Sequence, residues 1–309
     1  MDCSIVPLRH GNLSLISTTD FFYPLVDDPY MQGKIGCANV LSDLYAMGIY
    51  NCDNMLMILA ASRDMPERER NICTKEMIRG FNDLAKEAET EITGGQTVLN
   101  PWPIIGGVAT SVCSQDEFIN PIHLEIGDVV VLTKPLGTQP AVNAHQWKCL
   151  ENQFWDRIKN IITPEEVIQA YEKSMHSMAR LNRNGAKLML KYGVHGATDV
   201  TGFGIIGHAT NLAQNQSTPM NIEIHTLPII KNMVKVDEEV QLFRLLEGFS
   251  AETSGGLLLC IPEDKAEDFI KEIQELDNEP AWIIGKVVEN TSEDKNTAYV
   301  TKDVSILEI

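Results

Sequence analysis

The chain has 309 residues, 44% hydrophobic, 22% charged and 6% aromatic, which is ordinary globular material with length for two domains of roughly 150 residues each. Its 25 basic residues stand against 43 acidic ones for a formal charge of -18, which excludes a non-specific binder of nucleic acid or of anionic membrane, since either needs a basic face. No apolar run approaches the roughly 18 residues of a membrane span, and Met1-Asp2-Cys3-Ser4 shows no basic stretch leading into an apolar one, so a soluble cytoplasmic protein is expected.

In chain order, residues 13–19 alternate like a strand that ends at Asp20. Residues 29–47 read as a helix, with Pro29 early, Gly48 just past the end, and Ile35, Val40, Leu41, Leu44 and Met47 on an apolar side. A nearly all-apolar strand over 54–61 follows. Pro66 then opens a second helix in which Cys73, Met77, Phe81, Leu84, Ala85 and Ala88 recur at helical spacing. A short strand near Glu91 and another over 103–113 complete this half.

The composition turns polar around 114–125, and the boundary is placed there, giving domains 1–118 and 119–309. The second domain begins with a strand over 128–133 and a short helix through Trp147. Thr163-Pro164-Glu165-Glu166 forms a capping box, which predicts one long helix at least to about Asn184. A helix from about Gly204, strands over 220–225 and 256–261, a helix from Pro262 and a strand over 282–288 follow. Residues 289–296 read as a solvated loop.

Seven cysteines, odd in number, widely spaced and never in a C-x-x-C pair, indicate neither a disulfide framework nor a thiolate zinc site. The histidines are equally scattered. The informative stretch is Ala197-Thr198-Asp199-Val200-Thr201-Gly202-Phe203-Gly204, an acid directly before a glycine turn that opens a helix. A helix N-terminus with glycines can hold phosphate close to the backbone. A carboxylate beside a phosphate is repulsive unless a cation lies between them, so this order points to a metal-bridged phosphate site. Gly202, Gly204 and Gly207 also match the dinucleotide fingerprint, with Glu223 near the distance of a ribose-binding acid, but the polar lead-in lacks the required apolar strand. No Walker-type G-x-x-x-x-G-K-[ST] occurs.

Asn39 and Asp43 lie four residues apart, hence on one helical face. Asp43 is close to the C-terminal end of its helix, where the macrodipole disfavours an anion and a bound cation would reverse that cost; solvation or pairing with a Lys or Arg is the other reading. Thr93-Gly94-Gly95-Gln96-Thr97 and Glu252-Thr253-Ser254-Gly255-Gly256 read either as simple turns or as Gly/Thr clusters of a phosphate site assembled from both halves.

Taken together and in order, Thr18-Thr19-Asp20, the segment from Ala38 to Gly48, Thr93 to Thr97, Leu132-Thr133-Lys134-Pro135-Leu136-Gly137, Ala197 to Gly204 and Thr253 to Gly256 resemble selenophosphate synthetase across nearly the whole chain. The resemblance implies the α+β, two-domain fold of the aminoimidazole ribonucleotide synthetase superfamily. In that fold the N-terminal domain forms a dimeric β-barrel, so a homodimer is expected, and an α+β domain follows. It also implies the reaction of ATP, selenide and water to selenophosphate, AMP and phosphate, dependent on Mg2+. By motif, Asp2, Asp43 and Asp199 would be metal ligands, and Thr18, Thr19, Asp20, Asp43, Gly94, Gly95, Gln96 and Thr97 would contact the nucleotide.

The resemblance also implies a reactive cysteine or selenocysteine and a lysine upstream of the motif that holds Asp2. No residue here takes either role, and Cys3, which follows the motif, reads as an incidental thiol. The expectation is a chain without that segment and with little or no turnover. The alternatives are a non-catalytic dimeric paralogue with a regulatory role, and another ATP-using member of the superfamily.

Overall fold

The computed structural model describes residues 2–292 and 294–309, which divide into two compact units. The first is Met1–Phe118 with Met178–Lys187, and the second is Ile119–Ser177 with Leu188–Ile309.

The first unit comprises β1 (Ser4–Pro7), β2 (Leu13–Phe22), α1 (Pro29–Ala46), β3 (Asn54–Ser62), α2 (Glu67–Glu87), β4 (Ile92–Asn100) and β5 (Ile104–Ser114). The strands form one sheet in the order β1-β2-β5-β3-β4, antiparallel except where β3 runs parallel to β4. Within one chain the sheet is open, with β1 and β4 at its edges, and no barrel closes among the described residues. Along β2, Ser14, Ile16 and Thr18 are buried beneath α1, whereas Leu13 and Phe21 stand exposed on the other face, as does Val112 of β5.

Helix α1 begins where Asp28 accepts the N–H groups of Tyr30 and Met31, and it stops at Gly48, whose φ of +77° suits a residue without a side chain. Two glycines let α1 and α2 touch backbone to backbone. A Cβ on Gly33 would lie 2.1 Å from the Met77 carbonyl oxygen, and one on Gly80 would lie 1.9 Å from that of Tyr30.

The glycines of Thr93–Thr97, for which a turn was one reading, lie inside the edge strand β4. Met55 pairs with Ile92 and Leu56 with Gly94, so Thr93 is an inserted residue, and Gly95, at φ +146°, must lack a side chain because a Cβ there would sit 2.0 Å from the Met57 carbonyl oxygen. Turn-forming residues here serve a bulge and a close strand approach.

The remaining elements are β6 (Val129–Leu132), α3 (Thr138–Leu150), α4 (Gln153–Ile158), α5 (Pro164–Ala179), α6 (Arg183–Tyr192), β7 (Gly196–Asp199), α7 (Gly204–Gln214), β8 (Met220–Ile229), α8 (Met233–Val240), β9 (Leu257–Ile261), α9 (Glu263–Asp277), β10 (Trp282–Glu289) and β11 (Ala298–Glu308). The six strands order as β11-β8-β10-β6-β9-β7, antiparallel except for β11 with β8. Their core is the fully buried set Val130, Leu132, Ile222, Ile224, Leu258, Cys260, Ile284 and Val287.

Three sequence expectations change here. The long helix to about Asn184 is two helices: Asn182 donates to Ser42 Oγ at 3.0 Å, and its carbonyl accepts the Ala186 N–H, so it starts α6. Arg183 then bonds the Tyr50 carbonyl and, at 2.6 Å, Glu89, which fastens this excursion to the first unit. The polar stretch before Gly202 contains the short buried strand β7. Helices α4 and α8 and strand β11 carry no strong sequence signal. Of the loop read over 289–296, Glu289 closes β10, and Glu293 lies outside the described residues.

No disulfide links the cysteines among the described residues, and five of the seven are buried. No helix among the described residues is long and apolar enough to cross a membrane.

Candidate functional site

In the first unit the face of α1 that carries Asn39 and Asp43 lies on the face of β2 that carries Thr18 and Asp20. The Asn39 amide donates to Asp20 at 3.2 Å, and the Thr18 hydroxyl donates to Asp43. Both donors are neutral, so they orient these carboxylates without cancelling their charge. Since Ser4 pairs with Ser17, Asp2 lies two residues further along the same edge, and it offers a carboxylate oxygen within 4.8 Å of one from Asp43. Two carboxylates at that separation repel by about 3 kcal/mol at an effective dielectric constant near 20. Asp43 also sits three residues before the end of α1, where the helix dipole adds to the negative potential. Oxygen donors of this kind suit a hard divalent cation such as Mg2+ or Ca2+.

The other first-unit candidates are spread more widely. Strand alternation places Thr19 on the opposite face from Thr18. Gly94, Gly95, Gln96 and Thr97 lie exposed on β4, three strands from β2 in the sheet.

In the second unit Asp199 is the last residue of β7 and is buried, opposite Leu257 of β9. The chain then turns into α7 at Gly204, φ +68°. A Cβ on Gly204 would lie 2.5 Å from the Gly248 carbonyl oxygen, and one on Gly207 would lie 2.6 Å from Phe203 Cβ, whereas Gly202 faces open space. Two glycines of the apparent dinucleotide fingerprint therefore serve internal packing. The Thr201 N–H donates to His208 Nε2 at 3.1 Å, which makes that nitrogen an acceptor and assigns the ring proton to Nδ1. Burial pushes the His208 pKa down, and Asp199 partly opposes that shift.

Two buried charged residues that sequence reasoning gave no role complete this region. Lys134, 1% exposed, donates to the Ser254 carbonyl at 2.8 Å. The Glu252 carboxylate accepts the N–H of Gly137 at 2.7 Å, the N–H of Thr138 at 3.0 Å and the Thr138 hydroxyl. Burial raises its pKa to about 7, against the pull of those three donors. Both residues lie in or beside quoted motifs, but spacing alone gives no sign that segments more than a hundred residues apart meet.

Residues 1–113 match the family model of the AIR synthase related protein N-terminal domain, and residues 125–295 match that of its C-terminal domain. The chain is similar to a selenide, water dikinase of Dictyostelium discoideum, 55% identical over 312 residues that cover 100% of this chain and 85% of that protein. It is 57% identical to selenide, water dikinase 2 of Mus musculus over 93% of its own length but only 64% of the mouse protein's. To the selenide, water dikinase of Trypanosoma brucei brucei it is 49% identical, covering 100% and 80%.

Among solved structures, thiamine monophosphate kinase from Aquifex aeolicus has a TM-score of 0.66 at 19% identity, over 95% of this chain and 89% of the other. A hydrogenase maturation protein HypE in complex with ATP has a TM-score of 0.67 at 17% identity, over 89% and 77%. These likenesses show a shared fold. With both domain models matched and 55% of aligned residues identical to a relative of which it spans 85%, the chain belongs to the selenide, water dikinase family.

Proposed function

We propose that the protein converts ATP, selenide and water to selenophosphate, AMP and orthophosphate in a magnesium-dependent reaction. The observation that carries this reading is the 55% identity to the Dictyostelium selenide, water dikinase. In this reading Asp2 and Asp43 of the first unit are metal ligands, a role supported by their proximity, and Asp199 of the second is assigned to the same role by its motif. Mg2+ would neutralise phosphate charge, the main demand of phosphoryl transfer once the groups are positioned. The hydrogen bonds from Thr18 to Asp43 and from Asn39 to Asp20 fix these two carboxylates, which supports the reading. Thr18, Thr19, Asp20, Asp43, Gly94, Gly95, Gln96 and Thr97 are the proposed nucleotide contacts.

Homodimerisation belongs to the same reading. The open sheet edges and the exposed Leu13, Phe21 and Val112 give a second copy an apolar face to cover. The absence of disulfides among the described residues suits a reducing cytoplasm.

The test is AMP release by the full-length natural protein with Mg·ATP, with and without selenide. Selenide-dependent release is expected. Equal ATP consumption without selenide would assign the chain to another ATP-using member of the superfamily, and a folded dimer that binds Mg·ATP without turnover would mark a non-catalytic paralogue.

A further inference from the structure

Helix α3 begins at Thr138, and its cap residue, Gly137 at φ +98°, has no side chain with which to hold the first free N–H groups. Glu252 supplies that cap from 114 residues further along the chain, one carboxylate oxygen for Gly137 and the other for Thr138. The helix dipole and the two N–H donors favour a carboxylate at this end of the 13-residue helix, while burial opposes its charge. On its other side, the Glu252 N–H donates to the Thr201 carbonyl at 3.0 Å, two residues beyond Asp199.

Neighbouring contacts leave this connection little slack. The Val200 N–H donates to the Gly256 carbonyl at 2.9 Å, and a Cβ on Gly255 would lie 2.1 Å from the Val200 carbonyl oxygen. Ser254 takes a left-handed φ of +46° while Lys134 holds its carbonyl. A non-glycine residue keeps such a conformation only where its surroundings over-determine it.

We propose that Glu252 is a positioning residue that fixes the Asp199 segment by tying it to the N-terminus of α3, an inference that rests on the Mg·ATP reading of Asp199. A glutamine at 252 has the same size but one oxygen, so its NH2 group must meet either the Gly137 or the Thr138 N–H. The cap breaks, residue 252 shifts, and Thr201 shifts with it. Aspartate keeps both oxygens on a shorter stem.

The test is calorimetric titration of Mg·ATP, with a Mg2+ series, into the 309-residue chain and its variants Glu252→Gln, Glu252→Asp, Thr138→Val, Asp199→Asn and Phe269→Leu. Phe269→Leu is a core control, since Phe269 is fully buried in α9 with its ring edge-on to Tyr192. Loss of a residue that orients a metal ligand typically costs about 10- to 100-fold in affinity, so Glu252→Gln should weaken Mg·ATP binding by about 10-fold and raise the Mg2+ requirement in parallel. Glu252→Asp should recover part of the loss, Thr138→Val should show a smaller loss in the same direction, and Phe269→Leu should lower the melting temperature with affinity within about twofold of the parent.

Parent-like affinity in Glu252→Gln, or a loss no larger than that of Phe269→Leu at matched melting temperature, overturns the proposal. If Glu252→Gln does not fold, parent-like affinity in both Glu252→Asp and Thr138→Val overturns it. Parent-like affinity in Asp199→Asn, by contrast, overturns the metal reading beneath it.

Discussion

The acids of the first unit and the acid of the second are held in place by different means. Asp20 and Asp43 lie on a ten-residue strand and an 18-residue helix, and their orienting donors, Asn39 and Thr18, come from those same two elements. Asp199 ends a four-residue edge strand, and the loop after it is held by Glu252 and Gly256, with Gly248 holding Ile206 in the first turn of α7. The first-unit acids are held between two long neighbouring elements, and Asp199 by bracing from several distant segments. Substitutions in the first should therefore remove charge or orientation one group at a time, whereas substitutions around the second should displace a whole segment.

The largest effect tests whether the two regions serve one ligand. Asp43→Ala and Asp199→Ala should each weaken Mg·ATP binding by about 100-fold or more, the upper end of what a metal site loses when its ligand geometry fails. Calorimetry that finds either variant equal to the parent would separate the two regions. A second prediction concerns the helix that carries Asp43. Gly80→Ala forces a methyl group against the Tyr30 carbonyl and should destabilise the chain by about 3 kcal/mol, read as a lower denaturant midpoint. An unchanged midpoint would show that α1 can shift after all.

The third prediction uses pH to isolate the bracing residue. Glu252 has a raised pKa of about 7 in the folded chain, so its contribution to stability is present below the ordinary carboxylate pKa and is lost as pH rises through about 7. The stability of the parent relative to Glu252→Gln should therefore increase by about 2–3 kcal/mol from pH 8 to pH 5. His208 acts in the opposite sense. Its depressed pKa favours the neutral ring, so its contribution fades as pH falls below its ordinary value, and it cancels in the comparison because both proteins retain it. The smallest effect belongs to the first unit. Thr18→Val removes one hydroxyl donor from Asp43 and should cost about 1 kcal/mol in stability, with a modest loss of Mg·ATP affinity.

The same contrast explains what could be read in advance. Period and punctuation located α1, and the four-residue spacing of Asn39 and Asp43 placed both on the face that meets β2. The glycines at 94 and 95 misled because turn formers also permit bulges, and only the partner strand shows which use is made of them. The break after α5 was hidden because Asn182 starts α6 through a bond to Ser42, 140 residues away. Lys134 was visible inside an ordered motif and Glu252 directly beside one, but their roles arise from packing between distant segments that a one-dimensional pattern does not encode. The resemblance carried the family, while the bracing around Asp199 required the fold.

The excursion Met178–Lys187 has a consequence for synthesis on the ribosome. The first unit is not complete when residue 118 emerges, because Arg183, which fills the space beside Glu89 and the Tyr50 carbonyl, comes after the whole of 119–177. Early strands and helices of the second unit are thus made while the first still lacks a piece. A chain cut after residue 118 would leave that seat empty, so excising the first unit for separate study requires grafting 178–187 back onto it.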